Sequence, residues 1–106
     1  MINSQDKSLL AKSYFEQGYN CAQSVLLAYC EETGLSVEQA ARLASTFGGG
    51  MGRLREVCGA VSAMFMVEGQ LRGYDDPKAK EEKAELYARV QALAARFTEK
   101  NHSIIS

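Results

Sequence analysis

Apolar positions recur along this chain at intervals of three and four, and no stretch alternates apolar and polar residues for long enough to read as a strand. The pattern predicts an all-α fold, a compact bundle of about five helices with a glycine-rich loop between the third and the fourth. Over about 4 to 17, Leu9, Leu10, Tyr14 and Phe15 are interleaved with Lys7, Lys12 and Glu16 as on an amphipathic helix, and Gly18 follows where a left-handed residue commonly ends one. A second helix opens at once. Asn20 is a good N-cap, Gln23 stands three residues on as in a capping box, and Gly34 follows the last turn. Ser36 with Gln39 repeats the signature and opens a third helix, whose expected buried side is Val37, Ala40, Ala41, Leu43, Ala44 and Phe47.

The fourth helix is expected to begin between Leu54 and Val57 and to run to about Arg72. Val57, Ala60, Val61, Met64, Phe65, Val67 and Leu71 make it apolar around much of its circumference, the mark of a central helix. Gly73 to Pro77 reads as a turn with Pro77 at the first position of a fifth helix, running to about Lys100. Leu86, Val90, Leu93 and Phe97 form a single stripe on it, and the charged run from Lys78 to Lys83 is expected to be solvated. Asn101 to Ser106 starts a further apolar segment.

Two helix starts carry the candidate chemistry. Cys21 is expected at the first position of the second helix and Cys58 in the first turn of the fourth. There, unpaired N–H groups and the positive end of the helix dipole favour a thiolate. Cys30 is about half a turn from Cys21 on the same helix, beside Leu26 and Leu27, and reads as a small buried hydrophobe. Gly48, Gly49, Gly50 and Gly52 cannot form a stable helix interior, since each costs ~1 kcal/mol relative to alanine. With Arg53 they could make an anion-binding nest, or simply a closely packed loop. Gly59, next to Cys58, would let a second backbone or sulfur come close.

The 106 residues suffice for one domain with one core. Apolar residues make up 46% and charged residues 24%, an ordinary globular balance that argues against intrinsic disorder. A net charge of -1 and the lack of a basic block give no phosphate-tracking surface, so nucleic acid is not an expected partner. The longest run without a polar interruption larger than serine, Ala60 to Val67, is far short of the roughly 20 residues that span a bilayer, and Met1 to Lys7 lacks a signal-peptide pattern. The expectation is a cytoplasmic protein without membrane insertion. Three cysteines there point to redox chemistry, metal binding or plain burial rather than a disulfide scaffold. Two sulfurs and the lone His102 do not complete a zinc site, Met51, Met64 and Met66 read as core filler, and no hydrolytic constellation is present. Self-association into a homo-oligomer is a reasonable expectation for alanine-rich helices.

In this order, Gly18-Tyr19-Asn20-Cys21-Ala22-Gln23-Ser24-Val25, Phe47-Gly48-Gly49-Gly50-Met51-Gly52 and Val57-Cys58-Gly59-Ala60-Val61-Ser62-Ala63 resemble the C_GCAxxG_C_C family of redox-active proteins. The resemblance covers roughly residues 8 to 105. It implies a small helical protein with four characteristic cysteines, of which the first falls on Cys21 and the second on Cys58. The family's remaining two would lie just beyond Ser106, which suggests that this single domain of residues 1–106 lacks a short C-terminal segment. Ala63 stands where the motif has glycine, a change that should only tighten a helix contact. The implied function is reversible thiol and disulfide chemistry, or electron transfer, at Cys21 and Cys58. Two alternatives stay open: a metal or iron–sulfur module completed by the absent cysteine pair, and a helical adaptor with structural cysteines. The resemblance attaches no reaction, substrate or redox partner protein to the chain.

Overall fold

A computed structural model describes residues 4–106 and has six helices among them, with no strand. The leader expectation rests partly on residues 1–3, which lie outside the described residues. Helix α1, Ser4–Glu16, stops at Gly18, whose φ of 108° is open to glycine. Helix α2, Cys21–Ala28, begins with the expected capping box: the Gln23 N–H donates to Asn20 Oδ1 at 2.8 Å and the Asn20 N–H to Gln23 Oε1 at 3.0 Å. The backbone breaks at Tyr29, and α3, Cys30–Thr33, adds one turn before Gly34 closes it in the left-handed conformation. Helix α4, Val37–Ala44, opens on the Ser36 and Gln39 box and passes into a 3₁₀ turn, Ser45–Phe47. Helices α5, Gly59–Arg72, and α6, Lys80–Asn101, form a hairpin.

The hub is α2, which packs against α1, α4 and α5, whereas α5 lies between α2 and α6. The expectation that the fourth helix is central is corrected accordingly. Apolar sequence around a helix shows that it has several neighbours without ranking them. The core is Ala22, Leu26, Leu27, Ala40, Ala44, Ala63 and Val67. Its alanines let helix axes approach near the short end of the usual 8–10 Å range, while Leu26 and Leu27, fully buried, stabilise by about 1.5–3 kcal/mol each. On α4 the buried stripe is narrower than expected. Ala40 and Ala44, one turn apart, are inaccessible, but Val37 and Leu43 flank that line and stay 51% and 53% exposed.

The break at Ala28 would leave helix-end carbonyls unpaired. Lys7 answers it from α1: its Nζ, nearly inaccessible, donates to the Ala28 carbonyl at 2.9 Å and to Glu32 Oε1 at 2.6 Å, and lies 5.0 Å from the Tyr29 ring centre. This hydrogen bond holds the Glu32 carboxyl below the ordinary glutamate range, against a smaller upward push from burial.

Between α5 and α6, Asp76 Oδ1 accepts the Lys78 N–H and the Asp76 carbonyl accepts the Ala79 N–H. These bonds hold Pro77 in the turn and delay the helix to Lys80, later than the proline suggested. Lys83 Nζ, 5.9 Å from the rings of Tyr74 and Tyr87 alike, ties the turn to α6. The Leu86, Val90, Leu93 and Phe97 stripe faces inward but is only half-buried. Among the described residues, no helix is long and apolar enough to cross a membrane.

Candidate functional site

The N-terminal ends of α2 and α5 converge at Gly59. A β-carbon placed on Gly59 would lie 2.6 Å from Cys21 Sγ, 2.7 Å from the Phe47 carbonyl oxygen and 3.2 Å from Ala22 Cβ. The Cys21 sulfur therefore fills the volume that a side chain at position 59 would need. Gly59 is bonded to Cys58, so these distances leave Cys21 Sγ within about 8 Å of the Cys58 α-carbon. Both cysteines are half-buried free thiols.

Cys58 does not sit in a first helical turn as the sequence suggested. It is the N-cap of α5, with extended backbone, and its carbonyl accepts the Ser62 N–H at 3.0 Å. The helix starts later than expected because the preceding residues are held elsewhere. The Cys58 N–H donates to the Ile104 carbonyl at 2.7 Å, the Ser106 N–H donates to the Glu56 carbonyl at 2.6 Å, and Val57 and Ile105 form an antiparallel bridge. Residues 103–106 are thus an extended strap along the backbone that leads to Cys58. The apolar Ile104 and Ile105 were the only sequence signal for it.

The glycine segment forms one wall. Gly49, Gly50, Met51, Gly52 and Arg53 have positive φ in succession, making a left-handed turn. Such a turn costs roughly 1–2 kcal/mol for each residue that carries a β-carbon. Two of its amides are used internally, since the Gly52 and Arg53 N–H groups both donate to the Gly48 carbonyl, and the Glu56 N–H donates to the Gly50 carbonyl. An anion nest would need those donors pointing outward, and Arg53 itself is exposed. Gly50 is where close approach matters most: its φ is 75°, and a β-carbon there would meet Ser106 Cβ at 2.6 Å and the backbone of Arg55 and Glu56 at 3.0 Å.

Asn20 and Gln23 serve twice. Beyond capping α2, Asn20 Nδ2 donates to the Ser45 carbonyl at 3.1 Å and Gln23 Nε2 to the Ala41 carbonyl at 2.9 Å, which anchors the start of α2 to the end of α4. Gly48 completes the joint, because a β-carbon there would overlap the Asn20 side chain at 2.6 Å. The capping box was legible in the sequence; the second use of each amide was not.

Cys21 also borders a shallow groove of about 320 Å³ with Ala11, Phe15, Val25 and Ala60. Cys30 is set apart, and not on the helix of Cys21 as expected, because the break at Tyr29 makes it the first residue of α3; packed against the core, its thiol is pushed up in pKa by burial, with the Lys7 charge pulling the other way. His102 ends α6 in the left-handed conformation and is exposed. Among the described residues, no three His, Cys, Asp or Glu side chains converge as a metal would require. Cys21 and Cys58 by themselves would supply half of a tetrahedral zinc set.

No curated protein and no solved structure matches the chain. A family profile described as "Putative redox-active protein (C_GCAxxG_C_C)" matches residues 19–105, from the residue before Asn20 through the strap, with both converging cysteines inside the match. The chain therefore belongs to the C_GCAxxG_C_C family.

Proposed function

We propose that this chain is a thiol redox protein in which Cys21 and Cys58 cycle between two thiols and one disulfide. Closing the disulfide forms one S–S bond, releases two protons and passes two electrons to an oxidised acceptor, for which a disulfide is the matching chemical class. The observation that carries this reading is the occupation of the missing Gly59 side-chain volume by Cys21 Sγ, which keeps that sulfur against the residue bonded to Cys58. An odd number of cysteines, three, suits a reducing, cytoplasmic compartment better than a disulfide scaffold. The left-handed turn and the strap supply a backbone frame from which Cys58 is presented.

The test is thiol mapping. After mild oxidation of the full chain with a small disulfide, mass spectrometry should find Cys21 joined to Cys58 and Cys30 still free. Complete alkylation of both Cys21 and Cys58 after that treatment would overturn the reading.

A further inference from the structure

Among the described residues, the hairpin of α5 and α6 leaves one face without a neighbour. Helix α6 has 22 residues and not one of them is buried. Its stripe residues Leu86, Val90, Leu93 and Phe97 follow the four, three, four spacing of a coiled-coil seam, yet each stays half-exposed beside α5. Toward the end of α6, a groove of about 400 Å³ opens between the helices, walled by Met64, Phe65, Leu93 and Phe97 and edged by Arg96, Glu99 and Lys100.

Each end of the same helix is mixed in charge and only a small imbalance remains: Glu81, Glu82 and Glu85 outnumber Lys80 and Lys83 in its first part, and Arg96 and Lys100 outnumber Glu99 in its last. Glu82, Arg89 and Arg96 recur every seven residues along one edge of the stripe, and Glu82 and Arg96 have no ion-pair partner among the described residues. An antiparallel copy of α6, related by a two-fold axis at Arg89, would bring each Glu82 beside the other copy's Arg96. It would also place Leu86, flanked by Glu82 and Glu85, over that groove. Isologous pairing of this kind is the usual form of a two-fold interface, and two helical hairpins joined in this way make a four-helix bundle.

We propose that the α5 and α6 face is a homodimer interface, occupied by a second copy of this chain with the two α6 helices antiparallel and Glu82 paired with Arg96 across the axis. The same register sets the two Arg89 side chains against each other at the axis. That contact is repulsive, so the register makes a prediction of its own.

Sedimentation equilibrium on the full chain tests this, with circular dichroism to verify that each variant is folded. The wild type should be a dimer. Two ion pairs become like-charge pairs in Glu82→Arg or Arg96→Glu, so each variant should raise the dissociation constant about tenfold or more. The double exchange, Glu82→Arg with Arg96→Glu, should restore it to near the wild-type value, and Arg89→Gln should tighten the dimer. A wild type that stays monomeric up to about 1 mM, where only interactions weaker than about 4 kcal/mol go unseen, overturns the proposal. So does a dimer that neither single reversal weakens, or one that the double exchange fails to restore.

Discussion

Helix α5 is packed on two sides in opposite ways. Toward α2 it offers Gly59, Ala63 and Val67, and the partner buries Ala22, Leu26, Leu27 and Ala28, so the fully buried part of the contact is built from small residues and leucine. Toward α6 it offers Met64 and Phe65, and the partner buries nothing completely. Small residues bring helices to a separation fixed by hard contact, whereas long flexible ones leave gaps and accommodate change. The cysteines lie on the first side. The proposed thiol cycle would need the Cys21 sulfur held in a fixed position, and the tight contact supplies it. The open side suits a surface where one copy meets another.

The sharpest way to break this contrast is to truncate one leucine on each side. Leu26→Ala should cost about 3–5 kcal/mol of stability in urea denaturation, since the site is fully enclosed, whereas Leu93→Ala on the open side should cost under about 2 kcal/mol. Equal losses would show the two packings to be alike. Next in size is Gly59→Ala. Its β-carbon would meet the Phe47 backbone as well as Cys21 Sγ, so a cost of about 2–3 kcal/mol is expected, only partly recovered by adding Cys21→Ala. Full recovery would mean that the sulfur alone sets the contact.

A smaller effect reads the Lys7 clamp that ties α1 to the hub. The folded state holds the Glu32 carboxyl below its unfolded value, so the stabilisation is present above the ordinary glutamate range and is lost as pH falls through the lowered value, below about pH 4. Glu32→Gln should therefore flatten the acid side of the stability profile without changing its slope near pH 7. The Glu32 side chain is 32% exposed, so solvent screening keeps the loss modest. Smallest of all, Gly69→Ala should stabilise by about 0.5–1 kcal/mol in thermal melts. Position 69 is helical, exposed and faces open space, so only helix propensity changes there.

Much of this architecture could be read before any coordinates. Both capping boxes, the left-handed glycines at 18 and 34 and the single stripe on α6 stood in the sequence, because each is a bargain between residues three or four apart. Where local reading slipped, a distant group had intervened. The start of α5 moved past Cys58 because residues 104–106 pair with residues 56–58. Val37 and Leu43 stayed outside because no helix covers the flanks of α4. Lys7 read only as a polar position of an amphipathic helix, since its partners, Ala28 and Glu32, stand on either side of the Tyr29 break, 21 and 25 residues along the chain.

Sequence alone, then, determined the all-α class, the capped starts of α2 and α4, the placing of Cys21 and Cys58 near helix starts and the family to which the pattern belongs, since periodicity and capping act within a turn or two of backbone. Tertiary structure decided that the Cys21 sulfur occupies the empty place at Gly59, that the glycines wind left-handed beneath a strap, and that α6 keeps an open face. Those outcomes depend on which surfaces collide first when distant segments pack, and no local preference encodes that.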